Sequence, residues 1–157
     1  MAINSVLFVC LGNICRSPAG ENVMRRVLQE NGASGVKVDS AGTAGYHIGK
    51  RPDARMSAEL ESRGMRVVGS ARQFTAQDYS EFDLIVPMDN ENTKNVLKLA
   101  KSAGDKAKVK PFMSFCKEFT NDEVPDPYYG GAEGFTLVAD LMEDGCRGIW
   151  QEIQSAS

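Results

Sequence analysis

The amino-acid sequence predicts an α/β fold in which a mainly parallel sheet is covered by helices on both faces. Three observations carry that expectation. Short apolar runs alternate with longer stretches of helical period, the order that right-handed β-α-β crossovers require. The 157 residues are enough for one ordinary domain and too few for two independent cores. At 42% hydrophobic and 25% charged residues, the composition is that of a chain that folds by itself, far from disordered or fibrous sequences.

The run Val6-Leu7-Phe8-Val9-Cys10-Leu11 reads as a buried strand over residues 5–10. No basic leader precedes it, and it is shorter than a secretory apolar segment. After Leu11-Gly12-Asn13, Ser17 and Pro18 predict an N-cap followed by a first helical proline. Ala19, Val23, Met24, Val27 and Leu28 fall on one stripe of that helix; Glu21 is expected in its first turn, and Asn31-Gly32 stops it. Residues 36–38 read as a short second strand, 40–52 as a long Gly-rich loop, and 53–63 as a helix ended by Gly64. Residues 67–68 are weakly extended, and Thr75-Ala76-Gln77-Asp78 resembles a capping box before a short helix. Residues 84–86 form the third buried strand. Asp89 caps a helix carrying Val96, Leu97, Leu99 and Ala100 and ending near Gly104; residues 108–110 form the fourth strand. Residues 112–119 show no assignable pattern. The final helix, 133–154, buries Phe135, Val138, Leu141, Ile149 and Ile153 and is weakened by Gly145 and Gly148. There are no repeats, linkers or low-complexity tracts.

Eighteen Lys and Arg against twenty-one Asp and Glu leave a formal charge of -3, without the basic excess of a general nucleic-acid binder. No run approaches the roughly 18 apolar residues of a membrane span, so neither nucleic acid nor membrane insertion is expected. Four cysteines, Cys10, Cys15, Cys116 and Cys146, are too sparse for a secreted disulfide scaffold. Reduced thiols in the cytoplasm are the expectation. With one histidine and no second cysteine pair at ligand spacing, no metal site is expected either.

One segment carries chemistry. Cys10-Leu11-Gly12-Asn13-Ile14-Cys15-Arg16-Ser17 joins a buried strand to a helix N-terminus, so its successive amides can turn inward as a nest for a tetrahedral anion such as phosphate. Gly12 is expected to supply unusual backbone angles, Asn13 to tolerate left-handed geometry, and Arg16 to grip two oxygens with its planar fork. The same positive field favours a thiolate at Cys10, to which Ser17 can donate a hydrogen bond. A nucleophile at the floor of an oxyanion cradle is what displacement at phosphorus requires. Other phosphate loops fail: there is no Gly-x4-Gly-Lys-Ser/Thr run, and Gly42, Gly45 and Gly49 make no dinucleotide fingerprint.

Residues 6–21, VLFVCLGNICRSPAGE, together with DPYYGG at 126–131, resemble the low molecular weight protein tyrosine phosphatases, and the resemblance in length and element order spans residues 1–157 as a single domain of that kind. It implies a three-layer, flavodoxin-like fold with a four-stranded parallel sheet of order 2-1-3-4. It also implies that Cys10 attacks phosphorus to give a phosphocysteine, that Arg16 and the amides of residues 11–17 hold the oxygens, and that Asp126 is general acid and then base. Asp126-Pro127 independently places a carboxyl on a rigid loop end. By resemblance, Asn13, Ser17 and Ser40 brace the loop; Leu11, Ile14, Tyr46, His47, Tyr128 and Tyr129 line the pocket mouth for a phenyl ring. Ile14 stands where phosphoarginine phosphatases of the family tend to have Thr, and Gly69 where the family often has His. Asp89 matches a family feature near the site as well as a helix cap. No cofactor or metal is implied; the expected partners are tyrosine-phosphorylated proteins, with phosphate or similar oxyanions as product or inhibitor, and a monomer is expected.

Cys15 shares the loop with Cys10 and is read both as a possible redox partner that captures an oxidised Cys10 and as a small buried filler. Cys116 and Cys146 are read as structural. Two further functional readings stand beside phosphotyrosine hydrolysis. A thiol-dependent arsenate reductase shares the fold and anion loop but needs a cysteine relay, and no cysteine lies between Cys15 and Cys116. A noncatalytic phosphoprotein-binding module is disfavoured because Cys10, Arg16 and Asp126 are all present.

Overall fold

The structure, a computed structural model, describes residues 2–128 and 130–156. Strand β1 (Ser5–Cys10) lies at the centre, between β2 (Lys37–Gly42) and β3 (Leu84–Pro87), and both pairings are parallel. The sheet order among the described residues is therefore β2-β1-β3. Successive β1 side chains feed opposite cores. Val6, Phe8 and Cys10 join the larger one, under helices α1 (Arg16–Glu30) and α6 (Ala132–Ala156), whereas Leu7 and Val9 meet Phe74, Tyr79, Phe82 and Val96 on the other side. A strand buried on both faces is apolar throughout, which is why residues 6–9 show no alternation.

The expected fourth strand contracts to one bridge. Ile85 donates its N–H to the Lys108 carbonyl at 2.9 Å and accepts from Lys110 N–H at 3.0 Å, giving a parallel pairing with Val109 alone. Its neighbours explain the shortness: a helix ends at Ala107, and Pro111 has no N–H to extend the ladder. The second strand errs the other way. It runs through Ser40 to Gly42, residues read as loop, because these pair with Phe8, Val9 and Cys10 of β1; on the other edge Phe74 N–H bonds the Gly42 carbonyl and Gly42 N–H the Arg72 carbonyl.

Helix boundaries move where side chains are wanted elsewhere. α1 begins at Arg16, with Cys15 at the cap position, because the Ser17 hydroxyl is turned to Cys10 rather than to the helix end. Glu21 consequently falls beyond the first turn. Helix α2 (Ala54–Ser62) is shorter by one residue at each end than the expected 53–63, and Asp53 is its cap, the carboxylate accepting from Arg55 and Met56 N–H. Helix α3 (Asp78–Glu81) keeps half of the capping box, Asp78 reaching back to Thr75 N–H. The helix after Asp89 divides into α4 (Asn90–Leu97) and α5 (Ala103–Ala107). Ser102 and Asp105 explain the break, since Ser102 Oγ accepts from Asp105 N–H as the cap of a new helix while Asp105 reaches back to accept from Lys101 N–H. Residues 67–68 form no strand.

The unassigned stretch 112–119 is a 3-10 turn, Phe112–Phe115, followed by a loop clamped to α6. Gly145 and Gly148 weaken α6 as a helix but let this segment approach: a Cβ on Gly148 would stand 2.0 Å from the Phe115 carbonyl oxygen. Asp144 secures the loop. Its carboxylate accepts from the N–H groups of Lys117, Glu118 and Phe119 at 3.0–3.2 Å. Burial opposes its charge, but those amides and Cys116 outweigh burial and hold the carboxyl below its ordinary range. The stabilisation is therefore complete above the unfolded carboxyl range and is lost as pH falls through the lower folded-state value. Asp144→Ala is expected to cost about 2 kcal/mol at neutral pH, measured as a lower urea midpoint, and the gap to the wild type should narrow as the unfolding is repeated at increasingly acidic pH.

Candidate active site

The loop between β1 and α1 is tied to the 43–53 segment through its backbone carbonyls. Cys10, Leu11 and Ile14 carbonyls accept from the N–H groups of Thr43, Ala44 and Asp53 at 2.7–2.9 Å. In planar trans peptides the next N–H points opposite to its carbonyl, so those of Leu11, Gly12 and Cys15 face away from the 43–53 segment. The left-handed residue of the loop is Asn13, with φ 57°, not Gly12. Gly12 is needed for space instead, because a Cβ there would lie 2.9 Å from His47 Cδ2.

Asn13 holds that conformation with its side chain. Its amide oxygen accepts from Arg72 N–H at 2.9 Å, while its nitrogen donates to Ser17 Oγ at 2.8 Å and to Ser40 Oγ at 2.9 Å. Ser17 Oγ in turn lies 3.1 Å from Cys10 Sγ. Asn13, Ser17 and Ser40 are thus assembled in one buried group behind Cys10.

In front of Cys10 is a cavity lined by Leu11, Gly12, Ile14, Cys15, Arg16, Tyr46, His47, Asp126 and Tyr128. Segments far apart in sequence therefore converge on one cavity. Tyr129 lies outside the described residues. His47 stands between the rings of Tyr46 and Tyr128, at 6.4 and 6.2 Å, and its Nδ1 is buried without a hydrogen bond. Leu11 and Tyr46 are exposed at the rim.

Arg16 is only 3% exposed. One guanidinium nitrogen donates to Asp89 Oδ2 at 2.6 Å and to the Val124 carbonyl at 3.1 Å; the other lies 3.6 Å from Asp126 Oδ2. Burial disfavours its charge, but Cys10, Asp89 and Asp126 more than compensate and keep it a cation. Asp126 is itself oriented by Tyr128 N–H, which donates to its other oxygen at 3.1 Å. Burial, then the fields of Asp53, Cys10 and Asp126, push the Cys15 thiol far up, so Cys15 stays protonated beside Cys10; both are free thiols. Cys116, pushed up to about 12 chiefly by burial, and the fully buried Cys146 lie away from the cavity.

Several residues with a part in this geometry carried little or no sequence signal. Asp89, read mainly as a cap, does cap α4, accepting from Asn92 N–H at 2.7 Å, and with its second oxygen it holds Arg16. Arg55 donates to the Tyr128 carbonyl at 3.2 Å and stacks over Tyr128 and Phe135, tethering the Asp126 loop. Nothing in its sequence context announces that. Arg72 contributes its backbone amide, which has no residue signature at all.

Residues 5–157 match the family profile described as low molecular weight phosphotyrosine protein phosphatase. The low molecular weight phosphotyrosine protein phosphatase 1 of Drosophila melanogaster is 39% identical over 151 residues, covering 96% of this chain and 97% of that protein. The human low molecular weight phosphotyrosine protein phosphatase is 37% identical over 153 residues, 96% of each chain. A crystal structure of a protein tyrosine phosphatase from Entamoeba histolytica superposes with a TM-score of 0.93 at 41% identity, covering 96% of this chain and 97% of the other.

The double duty of Asp89 is separable by substitution. Asp89→Ala removes both the cap, about 1 kcal/mol, and the partner of a buried guanidinium, about 2 kcal/mol more. Asp89→Asn keeps a capping oxygen and should recover only the smaller part. Urea unfolding of the two variants checks this; equal losses would mean that only one of the two contacts matters.

Proposed function

This chain belongs to the low molecular weight phosphotyrosine protein phosphatase family, and from that premise we propose how its residues divide the chemistry. The activity is hydrolysis of phosphotyrosine. One observation supports the assignment of roles: Cys10, Arg16 and Asp126 line the same cavity, with the Arg16 guanidinium 3.6 Å from the Asp126 carboxylate.

The phosphoryl group enters with its equatorial oxygens toward Arg16 and the amides of residues 11–17. Arg16 is already immobilised by Asp89 and Val124, so little ordering is left to do on binding. Cys10 Sγ attacks phosphorus as the P–O bond to the tyrosyl oxygen breaks, and Asp126 gives that oxygen a proton. A phosphocysteine and free tyrosine side chain result. Water then attacks phosphorus, Asp126 takes its proton, the S–P bond breaks, and phosphate leaves with Cys10 again a thiolate. Ser17 donates to the sulfur in both states in which it carries negative charge. Leu11, Ile14, Tyr46, His47 and Tyr128 form the walls against the phenyl ring; Tyr129 belongs with them by resemblance.

The substrates are tyrosine-phosphorylated proteins met in the cytoplasm, and the chain acts as a monomer. Should a peroxide oxidant convert Cys10 to a sulfenic acid, Cys15 would have to lose its proton to condense with it, releasing water and leaving a disulfide, and burial, which holds that proton on, slows the step. The arsenate reductase reading is not favoured: its relay needs cysteines beyond the loop, and Cys146 is buried in the α1–α6 core.

With an aryl phosphate in stopped flow, the wild type should show a burst of phenol followed by slower turnover, and Cys10→Ser should show neither. Asp126→Ala should lower kcat about 100-fold or more on phenyl phosphate and much less on an ester with an acidic phenol. Turnover surviving in Cys10→Ser would remove the nucleophile assignment; equal losses on both esters would remove the acid assignment.

A further inference from the structure

Glu21 is a buried carboxylate that none of these steps uses. It sits on α1 facing β2, 3% exposed, and its two oxygens meet different donors. Oε1 accepts from Ser40 Oγ at 2.6 Å; Oε2 accepts from Arg25, at 2.7 Å from the terminal nitrogen and 3.2 Å from Nε. A carboxylate has no proton to offer. Ser40 must therefore spend its one hydroxyl proton on Glu21 and present only lone pairs to Asn13.

The consequence propagates. Asn13 directs its nitrogen to Ser40 and Ser17 and its oxygen to Arg72 N–H. Ser17, receiving from Asn13, keeps its own proton for Cys10 Sγ at 3.1 Å, with the Ala41 carbonyl at 3.3 Å as the weaker alternative. Two anchors thus fix the direction of every proton in the relay: the Arg72 amide at Asn13 and Glu21 at its far end.

We propose that Glu21 is a positioning residue for the nucleophile, setting the polarity of the Ser40, Asn13 and Ser17 relay so that Ser17 donates to Cys10. The proposal rests on the reading of Cys10 as nucleophile. Ser40 and Arg25 converge on Glu21, and Arg25 also donates to the Val38 carbonyl at 2.8 Å, which keeps its guanidinium beside the carboxylate. An amide supplies one oxygen. In Glu21→Gln, Arg25 claims that oxygen and the NH2 group turns to Ser40, whose proton then seeks Asn13. Satisfying it flips the Asn13 amide, breaks the bond to Arg72, and draws the Ser17 proton away from Cys10. Gly69, with φ +117°, runs beside the carboxylate, the site of its absent Cβ 3.5 Å from Oε1, and brings no side chain that could substitute.

The test is the rate at which iodoacetate alkylates Cys10 at mildly acidic pH, read together with kcat/KM for an aryl phosphate, in folded protein checked by urea unfolding. The charged and titratable groups that line the cavity with Cys10, namely Cys15, Arg16, Tyr46, His47, Asp126 and Tyr128, are the same in every variant. Glu21→Gln should slow both rates about tenfold. In a Ser40→Ala background the same change should have less than about a twofold effect, because no hydroxyl proton remains to be misdirected. Adding Arg25→Met to Glu21→Gln should restore most of the rate, since the amide oxygen is then free to face Ser40.

Faster alkylation in Glu21→Gln would mean that the residue acts through its charge, and would overturn the proposal. So would a tenfold loss that persists in the Ser40→Ala background, or one that Arg25→Met does not relieve; either would make Glu21 a packing residue. Failure of the underlying reading looks different: Cys10→Ser would retain turnover and iodoacetate would leave activity intact, whatever stands at position 21.

Discussion

A single side-chain amide closes the anion loop. Asn13 adopts a left-handed backbone that costs an ordinary residue roughly 1 kcal/mol, and three hydrogen bonds from its own side chain hold it there. Each of those bonds reaches a different element: α1 through Ser17, β2 through Ser40, and the segment beyond α2 through Arg72. The loop, the helix start and the neighbouring strand are therefore fixed relative to one another by one residue. Without that tie, the amides of the loop and the hydroxyl of Ser17 would have no common orientation toward Cys10. The position of the sulfur follows from this as much as from the strand that carries it.

Charge in the site is arranged on the same principle of local satisfaction. The chain carries a net -3, yet the cavity contains a buried guanidinium whose neighbours are carboxylates. Asp89 anchors Arg16 from behind and Asp126 stands across the opening. A buried cation costs several kcal/mol unless it is paired and hydrogen-bonded, and the Val124 carbonyl completes the set on the inner side. What is left for a ligand is one edge of the guanidinium, presented beside the amides. Overall acidity and a local site for phosphate are thus compatible, because the positive focus is made from one side chain and the backbone.

Much of this was legible in the sequence, for reasons that can be named. The apolar run ending in Cys10, the helical stripe of Phe135, Val138, Leu141, Ile149 and Ile153, and the Asp126-Pro127 step each advertise their local conformation through residue type. The central strand and the long terminal helix were readable on that basis, whereas the meeting of Asp126 with Cys10 and Arg16 in one cavity was implied by the resemblance of the two motifs to a known family. What was not readable depends on distance in the chain or on backbone groups. Arg16 meets Asp89 across 73 positions and Val124 across 108. Asp89 looks like a helix cap because it is one, and its second oxygen leaves no trace in the local pattern. Ser40 was taken into a loop because residues 40–42 include small polar and glycine residues; their strand character comes from pairing with β1, which no local propensity reports. The fourth strand failed for the converse reason, since Pro111 limits the pairing whatever the flanking residues prefer.

The two sides of the cavity are fastened by bonds of unequal kind. Cys10, Asn13, Ser17 and Ser40 are held by hydrogen bonds inside the protein, where solvent cannot compete. The Asp126 loop is held at its far end by Arg55, an exposed side chain whose contacts with Asp53 and the Tyr128 carbonyl are open to water and salt. Local opening draws on the weaker fastening first. On the proposed mechanism the nucleophile therefore rests on the side of the cavity that salt does not reach, and the acid on the side that salt does reach.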